Sequence, residues 1–226
     1  MKKLILAILL AVGVSSLGLA QDLKTGIRFG IGESEFNSSK VDEANLLKKL
    51  SFSGGISASY DFNEWFGLLG DVLLVNNGGK VTGQDDPNGI FWAEESFTNT
   101  YNFTYLEIPI LASGKLKNGK FGVRAFVGPS INFMFKAAYN KQYDDSNTND
   151  DHGFKDETFT NKIDGTHIGV IAGFGLDIDV SEKGVFFADF RMGNFRDNLI
   201  DNIPETGNNR YSFTYYRISF GTRYTL

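Results

Sequence analysis

The sequence has no cysteine, only two histidines and only four prolines in 226 residues. The absence of cysteine excludes disulfides and thiolate metal sites, and two histidines leave little for imidazole-based metal binding or catalysis. After the first twenty residues, no apolar run is long enough for a membrane-spanning helix. The chain is instead rich in glycine and phenylalanine, with 26 and 21 residues, and its apolar side chains are dispersed along it.

The first twenty residues have the three parts of a secretory signal peptide. Lys2 and Lys3 are positive, residues 4–14 are apolar, and Gly18-Leu19-Ala20 is a small-x-small cleavage site. The apolar stretch is short for a transmembrane anchor, the alternative interpretation, which needs roughly 20 residues. We therefore predict a cleaved signal peptide over residues 1–20 and one mature domain over residues 21–226.

The charge balance argues against a nucleic-acid partner. The formal net charge is −5, and it becomes −7 without Lys2 and Lys3, because the predicted signal peptide contains no acidic residue. Nucleic-acid binding depends largely on cations that neutralise phosphates, so a chain this acidic is a poor candidate.

Apolar and polar residues alternate along most of the mature chain, which is the period of a β-strand rather than of a helix. In Lys120–Phe135 the odd positions from Phe121 onwards are all apolar, whereas the even positions include Arg124 and, in the same phase, Lys136. This pattern predicts eight strands, at Asp22–Ser34, Leu50–Asp61, Trp65–Asn76, Thr100–Gly114, Lys120–Ala137, Asp164–Val180, Gly184–Arg196 and Asn209–Leu226.

The connections between these strands alternate between short and long. The short ones are Asp61–Glu64, Lys115–Gly119 and Ser181–Gly184, and the long ones are Glu35–Lys49, Asn77–Asn99, Ala138–Ile163 and Asp197–Asn208. Outer-membrane barrels have this asymmetry. We predict an all-β fold: an eight-stranded antiparallel transmembrane β-barrel with short periplasmic turns and long extracellular loops. A soluble β-sandwich or lipocalin-like barrel, with the apolar face inside, is the alternative.

The charged residues in the middle of the predicted strands have the parity opposite to the apolar face. In a membrane barrel they would face the lumen, because a charge at the lipid midplane costs about 2–4 kcal/mol. The predicted inward set is Lys24, Arg28, Asp71, Glu107, Arg124, Asp177, Asp189, Arg191, Arg217 and Arg223. Aromatic residues near strand ends are predicted to form an interfacial girdle: Tyr60, Trp65, Phe66, Tyr101, Tyr216 and Tyr224.

These inward charges could line a selective channel or form a packed network of ion pairs. An eight-stranded barrel has an interior only just wide enough for side chains, which favours the packed network. Arg124 and Glu107 lie on strands that flank one hairpin, so we expect them to pair. Neither charge would be stable if buried alone.

The long acidic connection Ala138–Ile163 is a candidate recognition loop through Asp144, Asp145, Asp150 and Asp151. Asp145-x-Asn147-x-Asn149 has the opening spacing of a calcium loop, with Asp156 at the twelfth position, but Asp150 replaces the required glycine. A solvated loop without metal is the favoured interpretation. In the first outer connection, the segment Val41–Leu50 could form a short amphipathic patch that caps the barrel or contacts a partner.

Candidate catalytic residues are few. His152 lies in the acidic loop, His167 near the outer rim and Ser146 in the same loop as His152. Their spacing matches no nucleophile–base arrangement that can be recognised from sequence. We predict no catalytic residue, no metal site and no cofactor.

Several segments resemble the PorT-like outer-membrane β-barrel proteins of Gram-negative bacteria. They are Tyr105–Leu111 (YLEIPIL), Val127–Ser130 (VGPS), Ile171–Leu176 (IAGFGL) and Arg217–Tyr224 (RISFGTRY). The resemblance extends over essentially the whole mature chain and is weakest in the loops. It implies a non-enzymatic eight-stranded barrel, and founding members are associated with gliding motility and type IX protein secretion. Unlike many such chains, this one ends in Leu226 rather than in an aromatic residue.

The sequence therefore predicts a non-enzymatic protein of the cell outer membrane with a structural or interaction role. Its expected partners are the lipid bilayer and other envelope proteins, and no nucleic acid. A link to type IX secretion or gliding follows only from the resemblance. A small porin that passes small solutes is the alternative function, and an enzyme with its site at the outer rim is a weaker one.

Overall fold

The computed structural model describes residues 23–38, 45–85, 95–144, 155–158, 166–196 and 211–226. They form ten strands: β1 Leu23–Ser38, β2 Asn45–Leu47, β3 Lys49–Asp61, β4 Phe66–Asp85, β5 Glu95–Asn118, β6 Phe121–Asp144, β7 Lys155–Thr158, β8 Thr166–Asp179, β9 Gly184–Arg196 and β10 Tyr211–Thr225. None of these residues belongs to a helix that is long and apolar enough to cross a membrane. The predicted signal peptide at residues 1–20 lies outside the described residues, so it stays a prediction.

Eight of the strands close into a ring in the order β1, β3, β4, β5, β6, β8, β9, β10 and back to β1. Every neighbouring pair in the ring is antiparallel. The β1–β10 pairing that closes it runs without a break from Lys24↔Thr225 to Ser38↔Tyr211. The predicted fold, a closed antiparallel barrel of eight strands, is confirmed.

All three tight turns lie at one end of the barrel, which we call the turn end; the opposite end is the outer end. In the first turn, Asn63 Oδ1 accepts hydrogen bonds from the backbone N–H groups of Trp65 and Phe66, both at 2.8 Å. In the second, Gly119 has a φ of 59°, a left-handed conformation that favours glycine. Leu226 N donates to Leu23 O at 3.2 Å, so the first and last described strands also meet at the turn end.

The outer wall of the barrel carries the apolar face. Large apolar side chains between 38% and 66% exposed occur on every strand of the ring. They include Ile27, Phe29, Phe52, Ile56, Val72, Leu74, Ile110, Val123, Val127, Ile168, Phe174, Leu176, Phe186, Ile218 and Phe220. The inward positions hold the charges, and Arg28 and Arg191 are completely buried. This distribution is the reverse of that in a soluble sandwich or lipocalin-like barrel, and it fits a wall surrounded by hydrocarbon.

Strands β4, β5 and β6 are much longer than predicted, with 20, 24 and 24 residues. A strand needs only about 9–11 residues to cross a bilayer, so these three continue past it at the outer end. Parts of the predicted loops Asn77–Asn99 and Ala138–Ile163 are therefore strand. Within the second of them, β7 pairs with Ala138–Lys141 of β6.

The strands were predicted too short because apolar and polar residues exchange sides in the extension beyond the bilayer. In the missed part of β4, Val81 faces inward and is buried, whereas Lys80 has the outward parity. The reversal extends into the predicted part of β5, where Tyr101 and Phe103 are buried inside and Thr100 has the outward parity. A polar outer face and an apolar inner face are what a strand in water requires. A search for apolar outward residues therefore misses these segments.

A β-bulge marks where the reversal begins on β6. Thr104 is paired with Lys136 and Tyr105 with Met134, which leaves Phe135 as an extra residue. Phe135 and Lys136 are both exposed, and Ala137 is fully buried. Lys136 shares the phase of Arg124 in the sequence, yet it faces outward, because the bulge shifts the phase of the strand by one residue.

Two further predictions for the outer end are also corrected. Tyr101 was expected in the aromatic girdle, but it is 1% exposed and belongs to the core inside the outer extension. In the amphipathic segment Val41–Leu50, Asn45–Leu47 forms strand β2 on β4, and Lys49 begins β3. Residues 39–44 lie outside the described part of the chain. At the turn end, Trp65, Phe66 and Tyr224 are exposed, as a girdle requires.

We expect Phe174→Arg to impair assembly far more than Val180→Arg. Both side chains are exposed and apolar, at 62% and 61%, but Phe174 lies within the apolar wall of β8, whereas Val180 follows that strand in a turn. An arginine should cost about 2–4 kcal/mol at the lipid midplane and about 0–1 kcal/mol near the interface. The folded fraction can be measured from the mobility shift between unboiled and boiled samples on a detergent gel. Equal folded fractions for the two variants would contradict the assigned lipid-facing wall.

Candidate functional site

Six charged side chains meet in the lumen at the turn end, and we call them the basal cluster: Lys24, Asp61, Lys115, Arg124, Asp177 and Arg223. Asp61 Oδ2 lies 3.1 Å from Lys24 Nζ and 2.6 Å from Lys115 Nζ. Asp177 bridges two arginines, with Arg124 Nη2 at 2.7 Å and Arg223 Nη2 at 3.0 Å. An Arg124–Asp61 contact of 3.7 Å joins the two groups. The turn-end mouth is therefore closed by ion pairs.

Farther along the lumen, Arg28, Asp71, Asp189 and Arg191 form a second group, the central cluster. Arg28 lies 2.8 Å from Asp189 and 3.4 Å from Asp71. Arg191 lies 2.7 Å from Asp71 and 3.3 Å from Asp189. Two cations and two anions thus alternate in a closed ring with no net formal charge. Their side chains are at most 5% exposed, and neutralisation is what makes such burial tolerable.

The third group is a single pair, Arg217 and Glu107, 3.2 Å apart with both side chains fully buried. Arg217 also donates to Asn77 Oδ1 at 3.4 Å. Asn77 is hydrogen-bonded to Ser51 and to Tyr105, so the pair joins a polar network contributed by several strands.

Aromatic rings inside the lumen cover these arginines. Phe187 lies beneath both Arg28 and Arg223, with the guanidinium carbons 4.5 and 4.3 Å from the ring centroid. Arg217 lies over Tyr215 at 4.3 Å, and Arg191 over Phe126 at 5.1 Å. Cation–π contacts of this kind stabilise a desolvated guanidinium by about 2 kcal/mol or more. The guanidinium groups are therefore held on their faces as well as at their edges.

The predicted pair between Arg124 and Glu107 does not form. The β5–β6 register places Arg124 opposite Lys115 and Glu107 opposite Asn132, so the two charges lie at different heights in the barrel. Arg124 pairs instead with Asp177 of β8, and Glu107 reaches across the lumen to Arg217 of β10. Adjacency along a hairpin was a poor guide, because inside a narrow barrel side chains also meet across the interior.

Two lumen residues were missed: Asp61, at the boundary between a predicted strand and a predicted turn, and Lys115, in a predicted turn. Asp61 is 8% exposed and is the last residue of β3, where it continues the inward phase of Ser57 and Ser59. Extending that phase by one step would have found it. Lys115 lies in β5, three residues before that strand ends at Asn118, and it continues the inward phase of Leu111 and Ser113. Its pairing with Asp61 shows that it reaches the lumen.

Aromatic side chains fill the lumen toward the outer end. Phe103 packs edge-to-face against Phe213 with centroids 5.0 Å apart, and Tyr105 packs in the same way against Phe195 at 5.9 Å. Phe195 also packs against Tyr215 at 5.5 Å. A small cavity of about 20 Å³ remains among Asn77, Phe103, Tyr105, Asn132, Met134, His167, Phe195 and Phe213. We call the five packed rings the aromatic plug: Phe103, Tyr105, Phe195, Phe213 and Tyr215.

The acidic loop contributes little to the described structure. Asp145, Asp150, Asp151, Ser146 and His152 lie outside the described residues, and nothing is described of the Asp144 side chain at the end of β6. Asp156, the twelfth position of the calcium-like spacing, is paired in β7 with Asn140 of β6. Within the described residues, no three metal-ligating side chains are grouped as a metal site requires.

One protein family matches most of the sequence: the family described as "outer membrane protein beta-barrel domain" matches residues 19–199. No functionally curated protein matches the sequence. Among solved structures, the fold is similar to that of OprG from Pseudomonas aeruginosa, with a TM-score of 0.50 and 12% identity over 91% of this chain and 95% of OprG.

Two other outer-membrane structures are more distant. Neisserial surface protein A has a TM-score of 0.42 and 13% identity over 89% of this chain and 97% of its own. Ail, the attachment invasion locus protein of Yersinia pestis, has a TM-score of 0.40 and 13% identity over 89% and 98%. At these identities the likeness concerns the fold alone.

A double-mutant cycle should detect the pairing that the sequence did not predict. Glu107→Gln and Arg217→Gln should each destabilise the barrel by about 3–5 kcal/mol, because each leaves a buried charge without its partner. The double variant should lose less than the sum, with a coupling of about 0.5–3 kcal/mol. Urea unfolding in lipid vesicles, followed by tryptophan fluorescence, gives these free energies.

The control is the same cycle with Glu107→Gln and Arg124→Gln. Arg124 and Glu107 share no partner in the described structure, so their effects should add within about 0.5 kcal/mol. Strong coupling in this control cycle, or none between Glu107 and Arg217, would mean that the lumen is paired differently.

Proposed function

The chain belongs to the outer membrane protein β-barrel domain family, and from this premise we propose that it is a closed, non-enzymatic barrel with a structural or interaction role. The barrel anchors the protein in the lipid bilayer. Recognition takes place on the outer extension and its loops. The proposal sets aside the two alternatives, a small porin and an enzyme at the outer rim.

The observation that carries the proposal is that two barriers lie in series along the lumen. The basal and central clusters fill it with paired charges, and the aromatic plug fills it farther out. The cavity of about 20 Å³ in the plug holds about one water molecule. A hydrated ion or small solute crossing the barrel would have to displace both.

The outer extension supplies the surface for recognition. The hairpin formed by β5 and β6 contains two strands of 24 residues, more than twice the length needed to cross a bilayer. Its inner face is closed by the aromatic core and β7 covers part of one edge of β6, so it projects as an ordered platform. Loops carried on a rigid scaffold are where binding residues are commonly found.

Catalysis at the rim has little support from the side chains that can be described. His167 is 3% exposed and lies on the inner wall of β8, beside the aromatic plug. A general base needs to reach the proton it abstracts in a bound substrate, and this imidazole is packed among Asn132, Met134 and Phe195. We therefore propose no catalytic role for it.

The partner that we propose is another envelope protein. The resemblance of Tyr105–Leu111 and Val127–Ser130 to the PorT-like proteins suggests a component of type IX secretion or of the gliding machinery. Only that resemblance supports this finer assignment. Loss of protein secretion or gliding in a strain that lacks the gene, restored by the intact gene, would support it; normal secretion and gliding would oppose it.

We expect the purified protein to show no steady conductance in planar bilayers. Because the two barriers are in series, Phe103→Ala combined with Phe213→Ala, or Arg124→Gln alone, should still leave the lumen closed. Single-channel recording tests this, with a mock preparation from cells that lack the protein as the control. Stable, ion-selective openings in most insertions of the wild-type barrel would instead establish the porin alternative.

Deleting residues 145–154 should weaken partner binding and leave the barrel folded. The deletion removes the acidic connection between β6 and β7 and keeps both strands, and loops tolerate such changes better than strands do. Removal of the turn residues Ser181–Lys183 at the opposite end is the contrasting variant, and it should spare partner binding wherever it folds. Gel mobility reports folding, and co-purification with a crosslinked partner reports binding. Undiminished crosslinking after the first deletion would place recognition elsewhere.

A further inference from the structure

On the outer wall, just beyond the apolar belt at the outer end, Lys49 and Lys136 flank a polar row, and Lys80 lies four residues farther along β4. We propose that Lys49, Lys80 and Lys136 form a binding site for the phosphate of a membrane lipid headgroup. This site would lie on the lipid-facing side of the barrel, separate from the loops assigned to partner recognition.

The height of the site follows from where the apolar wall ends. On β4 the outward residues Val72 and Leu74 are 46% and 55% exposed and apolar, and the next outward residue is Asn76. Among the described side chains of β6, the last exposed large apolar one is Phe135, at 56%, and Lys136 comes directly after it. The change from apolar to polar side chains marks the boundary between hydrocarbon and headgroups, the level at which lysines meet anionic lipid.

A hydrogen-bonded row organises the polar face at this height. Lys49 Nζ donates to Asn76 Oδ1 at 2.8 Å, and Asn76 Nδ2 donates to Thr104 Oγ1 at 3.3 Å. Asn76 is the register partner of Thr104, which in turn is the partner of Lys136. Neighbouring strands are about 4.8 Å apart, so the row from Asn76 to Lys136 spans about 10 Å. That width suits one lipid headgroup.

The lysines are not neutralised within the protein. Among the described side chains, Lys49, Lys80 and Lys136 have no carboxylate at salt-bridge distance, whereas the neighbouring Lys48 pairs with Glu33 at 3.3 Å. Burial lowers the pKa of the Lys49 ammonium, and the nearby positive charge of Lys80 lowers it further. Two ammonium groups that repel each other beside a membrane surface would be stabilised by a bound anion.

Phosphate is the anion that this arrangement fits best. Lysine binds phosphate as a point charge, and the amide and hydroxyl of the row can donate to the remaining phosphate oxygens. A lipid headgroup is favoured over free phosphate because the apolar belt directly below the lysines holds the acyl chains of the same molecule.

The test compares two forms of one glycolipid, diphosphoryl lipid A and its fully dephosphorylated form. Binding to the purified barrel in detergent is measured by native mass spectrometry as a function of lipid concentration. The variants are Lys49→Gln/Lys80→Gln/Lys136→Gln and, as matched controls, Lys48→Gln and Lys120→Gln. Lys48 is already paired with Glu33, and Lys120 is exposed in the second tight turn at the opposite end.

The wild-type barrel should bind the phosphorylated lipid at least about tenfold more tightly than the dephosphorylated one. The triple variant should lose about 100-fold in affinity, since each lysine near an anionic surface contributes about 1 kcal/mol. Both control variants should bind as the wild type does. Gel mobility after heating checks that every variant is folded.

Three outcomes of the lipid measurements would overturn the proposal. They are equal binding of the two lipids, an unchanged affinity in the folded triple variant, and an equal loss in the Lys120→Gln control. Inorganic phosphate that binds as tightly as the phosphorylated lipid would also overturn it, because the site would then recognise a free anion.

Discussion

Within the apolar belt, a charged side chain of this barrel can face only the lumen, and the lumen has room for little besides side chains. The structure therefore has to place these charged side chains inside the barrel and also fit them into a narrow interior. Each buried guanidinium lies beside a carboxylate, and Phe187, Tyr215 and Phe126 cover guanidinium faces. Because an unpaired buried charge costs several kcal/mol, removing either partner of an ion pair should destabilise the barrel. Each of the three groups links strands that are distant in sequence, as with Arg28 and Asp189.

The second organising feature is the reversal of the two faces near the bulge at Phe135. At the turn end, the outer wall is apolar and the lumen is charged. At the outer end, the inner side chains are aromatic and the outward positions are polar. One continuous set of strands therefore meets two solvents, hydrocarbon and water, and places its apolar residues on opposite sides accordingly.

The part of the barrel in the bilayer and the outer extension differ in the surfaces that they present. In the proposed function, the part of the barrel with the charged lumen is the membrane anchor, and the extended β4, β5 and β6 hold a recognition surface away from the lipid. The row of Asn76, Thr104 and the neighbouring lysines lies where these two parts join, at the level of the headgroups. This arrangement is what supports the proposal of a closed barrel that interacts through its outer surface.

The order of residues by itself determined the number of ring strands, their antiparallel direction, the three tight turns and which side of each wall faces lipid. Period-two alternation and turn chemistry are local, so they can be read without knowing what packs where. The pairing inside the lumen was decided only by closure of the ring. Glu107 meets Arg217 rather than Arg124 because the register of closed strands sets each side chain's height, and a narrow interior lets it reach across. The outer extension and the inward position of Tyr101 were likewise decided by the tertiary structure, because the same alternation has the opposite meaning once a strand leaves hydrocarbon for water.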